Sequence, residues 1–434
     1  MRARDLAMEE RKHGAAAVHR LRRLRDEVRG PRKGGHQQPS GSRGTETLPA
    51  AQLSDSVQQQ FGPGCCLHAP LAGQFGARLT GVDLSVELTA HQAELLLQIF
   101  EACKVLVIPS CSTDGVCLTD FERLANHIGH PTPHPSVRTR VVGHPNIQLM
   151  TNVTTADGDE GRSAVVPSPY HTDLDYETEP ASASMILCHT APPLGAQTSF
   201  IDMEQAWVEQ PADTLRETAM RLCVLRDGFS EVKPLAARNV SPIVRRHPRT
   251  GRQSLHVSHP DLMRQFFAIE PGEDPVADMR AQRGYALGVA PETCSWPGGE
   301  ADGRRLVQEL RDRVLRPARL RKCEYLHSHE PGCVIVWDNL SLMHTGPVNG
   351  RRVPHSELSP DLQQLARCDA VAPQSWESRE QANQSRAIVG QRQHREGADA
   401  EARILFRIGV RGPGSVLLPR RDSAVWTRQH IIAA

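Results

Sequence analysis

Large aromatic rings are scarce in this sequence, with Phe, Trp and Tyr making up only 4% of 434 residues. A core built from it must rest on Val, Ile, Leu and Ala rather than on ring packing. No stretch approaches the roughly 18 consecutive apolar residues needed to span a bilayer, so a transmembrane helix is excluded. Net charge is also nearly absent: 51 basic against 50 acidic residues leave +1, which gives no footprint for nucleic acid or an anionic membrane. The partner expected is a small molecule. Eleven cysteines are scattered along the chain with only Cys65 and Cys66 adjacent, so neither a disulfide framework nor a CxxC zinc site is present. Free, mostly buried thiols in a reducing, cytoplasmic setting are expected. The Arg-rich first thirty residues lack the apolar centre of a secretory signal, and organelle targeting stays open.

The length fits two ordinary domains or one large enzyme domain with extensions. Residues 1–65 are rich in charge, Gly, Pro, Ser and Gln, and are expected to be a disordered extension. Structure is expected to begin near Gln74, where FGARLTGVDLS alternates apolar and polar residues. Thr89 then stands as an N-cap before LTAHQAELLLQIFEAC, an amphipathic helix, followed by the strand KVLVIPS and a second helix, LTDFERLANHIG. Between about Val142 and Val336, short apolar runs such as NIQLMTN, SASMILCH, QTSFIDM, QSLHVS and CVIVWDN are separated by turn residues. That spacing predicts a mainly β fold with flanking helices, a sandwich or jelly roll rather than a doubly wound sheet. One domain over 66–420 is expected, interrupted by a polar insertion at about 353–402 and followed by a tail at 421–434. ARILFRIGVRG reads as a core strand beyond the insertion.

Three segments carry chemistry. In YHTDLDY, His171 and Asp173 lie two apart, a spacing that on an extended segment lets an imidazole and a carboxylate converge on one point. In VIVWDNLSLMHTGP, an apolar run ends at Trp337 and a turn-prone pair leads to His344. His344 could then complete a two-His-one-carboxylate face on iron, leaving positions for a bidentate 2-oxo acid and dioxygen. In Arg403-Ile-Leu-Phe-Arg407 the two arginines share one face of a strand. Their guanidinium forks suit a carboxylate, although a solvated strand edge would look the same.

Taken together, and in this order, these segments resemble the TauD/TfdA family of Fe(II)/2-oxoglutarate-dependent dioxygenases. GARLTGVDLS, KVLVIPS, LTDFERLANHIG and SPIVRRHPRTGRQSLHVS are similar to that family as well. The resemblance implies a distorted double-stranded β-helix, with His171, Asp173 and His344 as ligands of Fe(2+) and O2 as the oxidant. It also implies that Arg403 and Thr198, the latter in GAQTSF, bind 2-oxoglutarate, and that Arg407 and Asn152 meet the prime substrate. Halogenating relatives replace the carboxylate ligand with a small residue; Asp173 fills that position, so hydroxylation of a small anionic substrate with release of succinate and CO2 is the expected course. His130, His134 and His144 are further candidates for the substrate mouth, as exposed loop histidines would equally be. Arg351 and Arg352 are rivals to Arg403 that lack a following core strand. A metal hydrolase and a family member that kept the fold but lost turnover are the competing functions, and a homo-oligomer is open.

Overall fold

The computed structural model describes residues 50–71, 75–110, 116–134, 139–141, 143–154, 169–177, 180–192, 197–227, 238–258, 260–268, 296–346, 353–365 and 397–412. Its main sheet runs in the order β1 (Cys66–His68), β2 (Ala77–Thr80), β3 (Val105–Pro109), β15 (Cys333–Asp338), β7 (Ala183–Thr190), β17 (Ile404–Arg411), β6 (His144–Thr151) and β5 (Arg140–Val141). A short strand, β4 (His130–Thr132), also pairs with β17. A second sheet, β14 (Glu324–Ser328), β8 (Gln197–Asp202) and β16 (Leu342–Thr345), lies opposite. Two smaller sheets complete the set: β9 (Leu222–Asp227) between β10 (Arg238–Pro242) and β13 (Met263–Ala268), and the pair β11 (Val244–Arg246) and β12 (Gln253–Leu255).

The period-two alternation of the central strands sorts their side chains onto two faces. Met185 and Leu187 of β7, with Ile404, Phe406, Ile408 and Val410 of β17, pack outward against three helices. These are α1 (Ala50–Phe61), α2 (Ala90–Cys103) and α3 (Leu118–Ile128). The intervening Ile186, Cys188 and Leu405 point the other way and meet Phe200 and Leu342 of the opposite sheet. Because both faces are covered, β7 is buried at every position. Two facing sheets with helices on one side form a distorted double-stranded β-helix, as the family resemblance implied, and a mainly β fold, as the residue pattern led us to expect.

The helix starts follow their local chemistry. Thr89 Oγ1 accepts the Gln92 amide at 3.3 Å while Gln92 Oε1 accepts the Thr89 amide at 2.9 Å, a capping box. The helix ends at Lys104, which adopts a left-handed φ of 66°. Leu95, Leu96, Ile99 and Phe100 are its buried stripe. No helix among the described residues is long and apolar enough to cross a membrane. Cys65, Cys188, Cys323 and Cys333 are buried and form no disulfide.

Two boundaries differ from expectation. Residues 50–61 were expected within a disordered extension but form α1, whose Leu53 and Val57 are buried in the main core with Phe61 against it. These residues fall at i, i+4 and i+8, so a sparse stripe suffices where mean composition is polar. The stretch from 353 was expected to be an inserted loop, yet Val353, Leu358 and Leu362 belong to the same core.

Candidate active site

His171 and Asp173 do not lie on a continuous strand. His171 makes an isolated antiparallel bridge to His344, with each amide bonding the other's carbonyl at 2.8 Å. Asp173 then opens a turn in which Leu174 adopts φ of 53°. His344 sits on β16, because residues 339–341 carry the chain from the main sheet to the facing one. Backbone pairing across the two segments thus sets the two imidazoles side by side, ring centroids 4.3 Å apart.

Asp173 Oδ1 lies 3.4 Å from His171 Nε2 and 3.6 Å from His344 Nε2. One donor atom from each residue falls within 4.8 Å of the others, the only such group of three among the described residues. Neighbouring ligands of an octahedral metal stand about 3 Å apart, so the donor set fits a single ion held on one face. His171 Nδ1 donates to the Pro169 carbonyl at 2.8 Å, which leaves Nε2 as the bare nitrogen a metal requires. The other oxygen of Asp173 is held by Arg407 Nη2 at 2.6 Å and Ser184 Oγ at 2.7 Å. Burial pushes the Asp173 carboxyl up, but Arg407, His344 and His171 outweigh it and hold the group well below the usual carboxylate range. The Asp173 carboxylate is therefore ionised at neutral pH.

Further along the inner face lies Arg403, 3% exposed. Burial lowers its pKa to about 10, still far above neutral pH. Thr198 on β8 is also buried, and its hydroxyl lies 2.9 Å from His329 Nε2. The arginine four residues on, Arg407, reaches the candidate metal group through Asp173 and places Nη1 on Gln148 at 3.2 Å. Asn152 is occupied elsewhere than the sequence suggested. Its Oδ1 accepts the Arg403 amide at 2.7 Å and its Nδ2 donates to the Glu401 carbonyl at 3.0 Å. His144 pairs with Glu122 at 2.7 Å on α3, and His130 is exposed on β4. Arg351 and Arg352 lie outside the described residues.

Residues 67–347 match the family described as taurine catabolism dioxygenase TauD, TfdA family. The chain belongs to this family. An alpha-ketoglutarate-dependent sulfate ester dioxygenase of Pseudomonas putida is 24% identical over 295 residues, 63% of this chain and 82% of the relative. The (S)-phenoxypropionate/alpha-ketoglutarate-dioxygenase of Sphingobium herbicidovorans is 25% identical over 303 residues, 64% of this chain and 87% of that one. Among solved structures, a Burkholderia xenovorans protein assigned as an alpha-ketoglutarate-dependent taurine dioxygenase shares the fold. It matches with a TM-score of 0.50 at 19% identity, covering 81% of this chain and 90% of its own. The chain is thus an oxidoreductase, a TauD/TfdA dioxygenase dependent on iron(II), 2-oxoglutarate and O2.

Three residues around this TauD/TfdA site, Asn339, Asp338 and Ser184, carry no functional role in the sequence reading. Asn339, fully buried, accepts the Asp173 amide at 2.8 Å through Oδ1 and donates through Nδ2 to the carbonyls of Asp173 at 2.8 Å and Ala181 at 2.7 Å. It is the clamp on the Asp173 turn. Its neighbour Asp338 accepts the Leu340 and Ser341 amides at 2.9 and 3.2 Å and pairs with His247 Nε2 at 3.2 Å. The WDN segment itself was the available signal: a buried Asp-Asn pair at a strand end is polar where a core residue would be apolar. Ser184 had no such signal.

Proposed function

We propose that this dioxygenase hydroxylates a small organic anion and releases succinate and CO2. In this reading His171, Asp173 and His344 hold iron(II), Thr198 and Arg403 hold 2-oxoglutarate, and Arg407 draws the substrate's anionic group toward the metal. The observation that carries it is the 2.6 Å contact between Arg407 and Asp173. An anion attracted to Arg407 is thereby brought within one side chain of the metal ligands. Iron(II), when bound, supplies the activation of dioxygen that 2-oxoglutarate and substrate both need.

The protein's own groups supply position and charge. Arg403 is a buried cation with a rigid fork of donors, suited to a carboxylate. Asn152 enters as the residue that fixes Arg403, since its amide is bonded to the backbone at 401 and 403; this replaces the substrate contact expected of it. Iron(II), Asp173, 2-oxoglutarate and the two arginines together carry one formal positive charge, which a monoanionic substrate balances. Two of the relatives are named for a sulfate ester and for phenoxypropionate, both of them anions. A sulfonate, sulfate ester or aryloxy acid, hydroxylated on the carbon bearing the heteroatom so that the group departs, is the class that fits.

The test can be run before the substrate is identified. Anaerobic titration of the protein with iron(II) and 2-oxoglutarate should produce the weak visible charge-transfer band of the bound pair. The band should vanish in His171→Ala and need higher 2-oxoglutarate in Arg403→Ala. Succinate release should then respond to anionic candidates and not to their neutral esters or amides. No band in folded, iron-loaded protein, or stimulation by neutral compounds alone, would reject the reading.

A further inference from the structure

Thr198 and Arg403 share a buried neighbour. His329 follows β14, is 8% exposed, and places Nε2 2.9 Å from Thr198 Oγ1. Its ring stands edge-on to His327, centroids 4.8 Å apart at 89°, which fixes its plane. His327 in turn lies 3.1 Å from the Tyr325 hydroxyl through Nδ1. Burial, with His327 and Arg403 acting in the same direction, pushes the His329 pKa well below its ordinary value. The ring is neutral at physiological pH, and the cation of this corner is Arg403.

A neutral imidazole has one N–H and one bare nitrogen, and a threonine hydroxyl has a single proton. Two arrangements of the 2.9 Å contact follow. With Nε2 bare, Thr198 gives its proton to His329 and turns only lone pairs toward the neighbouring space, where they would repel a carboxylate. With the proton on Nε2, His329 donates, Thr198 Oγ1 accepts, and the hydroxyl proton is released to point elsewhere. Only the second makes Thr198 a donor to an anion. A co-substrate carboxylate beside Thr198 therefore selects the tautomer with the proton on Nε2.

We propose that His329 is a positioning residue for the co-substrate: by donating from Nε2 to Thr198 Oγ1, it aims the threonine proton at the carboxylate of 2-oxoglutarate that Arg403 draws in. The inference rests on the assignment of Thr198 and Arg403 to 2-oxoglutarate given above. It predicts that His329 sets co-substrate affinity without touching the metal or the co-substrate.

The full chain, loaded anaerobically with iron(II), is titrated with 2-oxoglutarate through the charge-transfer band, and with N-oxalylglycine by calorimetry. His329→Phe keeps a flat ring and removes the donor. It should weaken both ligands about tenfold, the effect of one hydrogen bond to a charged group, with iron(II) affinity unchanged. His329→Gln, which returns an N–H donor, should recover affinity to within about threefold of wild type. In a Thr198→Val background, His329→Phe should add nothing, because its route runs through the hydroxyl. Wild-type affinity in His329→Phe, or full additivity of the two losses, overturns the proposal while leaving the co-substrate assignment intact. Should His329→Phe fail to fold, the comparison passes to the milder variants: His329→Gln must bind nearly as wild type while Thr198→Val does not, and equal losses in both overturn it. A wild-type protein that gives no band at all removes the co-substrate assignment first, and the proposal with it.

Discussion

Truncating Asn339 to Ala should cost this protein both stability and metal affinity, through one side chain that touches no metal ligand atom. Asn339 is completely buried, and its amide satisfies the N–H and C=O of Asp173 and the C=O of Ala181 at 2.7 to 2.8 Å. Ala would strand one buried donor and two buried acceptors, each worth about 1–3 kcal/mol when unmet. Water entering the small void would recover part, so a net loss of about 3–5 kcal/mol is expected. Urea unfolding of the iron-free protein, extrapolated linearly, measures it directly. The same change frees the turn that presents Asp173, and loss of a group that orients a ligand typically weakens metal binding about 10–100-fold. Asn339→Asp should do no better, since a carboxylate would face two carbonyl oxygens it cannot donate to. If Asn339→Ala unfolds within about 1 kcal/mol of wild type and binds iron(II) equally well, the clamp argument is wrong.

Two further outcomes follow from the charges buried behind the site. Lys104 Nζ lies 2.7 Å from Asp202 and 2.6 Å from Glu204, all largely buried. Lys104→Met should lose about 3–5 kcal/mol in urea unfolding, because it strands two buried carboxylates. The His247–Asp338 pair should leave a pH signature. Burial lowers the His247 pKa, but Asp338 outweighs it and raises the value; burial raises that of Asp338, but His247 outweighs it and lowers the value. The raised histidine stabilises fully below its unfolded pKa of about 6.5 and loses that contribution as pH rises through its folded value. The depressed carboxyl stabilises above about 3.9 and loses its contribution as pH falls. Melting temperature should therefore fall on the alkaline side of about pH 6.5, and this step should be absent from His247→Asn.

How much of this was legible in the sequence depends on the range of the signal. Thr89 and its helix, the short strands, and the core strand that carries Arg407 are local patterns, and each stands where its period placed it. The candidate metal residues were legible through three separate segments whose order matched a known family. Their geometry was not. His171 and His344 are set by a bridge between segments 173 residues apart in sequence, and no spacing within YHTDLDY encodes it. Asn152 shows the same limit: the resemblance implied a substrate contact, and no local pattern encodes its 1% exposure or its bond across 249 residues to Glu401. Helix α1 was missed because three apolar residues at helical spacing do not move a polar average.

The long separation between His344 and Arg403 raised the question of how the arginine regains its place, and the bonding at both ends of the intervening stretch answers it. Val353 bridges Val153 in parallel and donates its amide to the Asn152 carbonyl at 3.1 Å. On the return side the Asn152 side chain holds 401 and 403, and the Ser359 amide reaches Asp399 Oδ1 at 3.0 Å. The two ends are thus tied to each other and to the same asparagine before the chain enters β17. Replacing residues 366–396 by a Gly/Ser linker of about eight residues, which extends to about 26 Å, should leave 2-oxoglutarate affinity unchanged. Shortening the closed segment about fourfold should stabilise the fold by about 1 kcal/mol on loop entropy alone. Calorimetric titration and urea unfolding of the shortened protein decide the matter. A large loss of 2-oxoglutarate affinity at preserved stability would mean that residues within 366–396 take part in the site, and that Asn152 and Asp399 alone do not place Arg403.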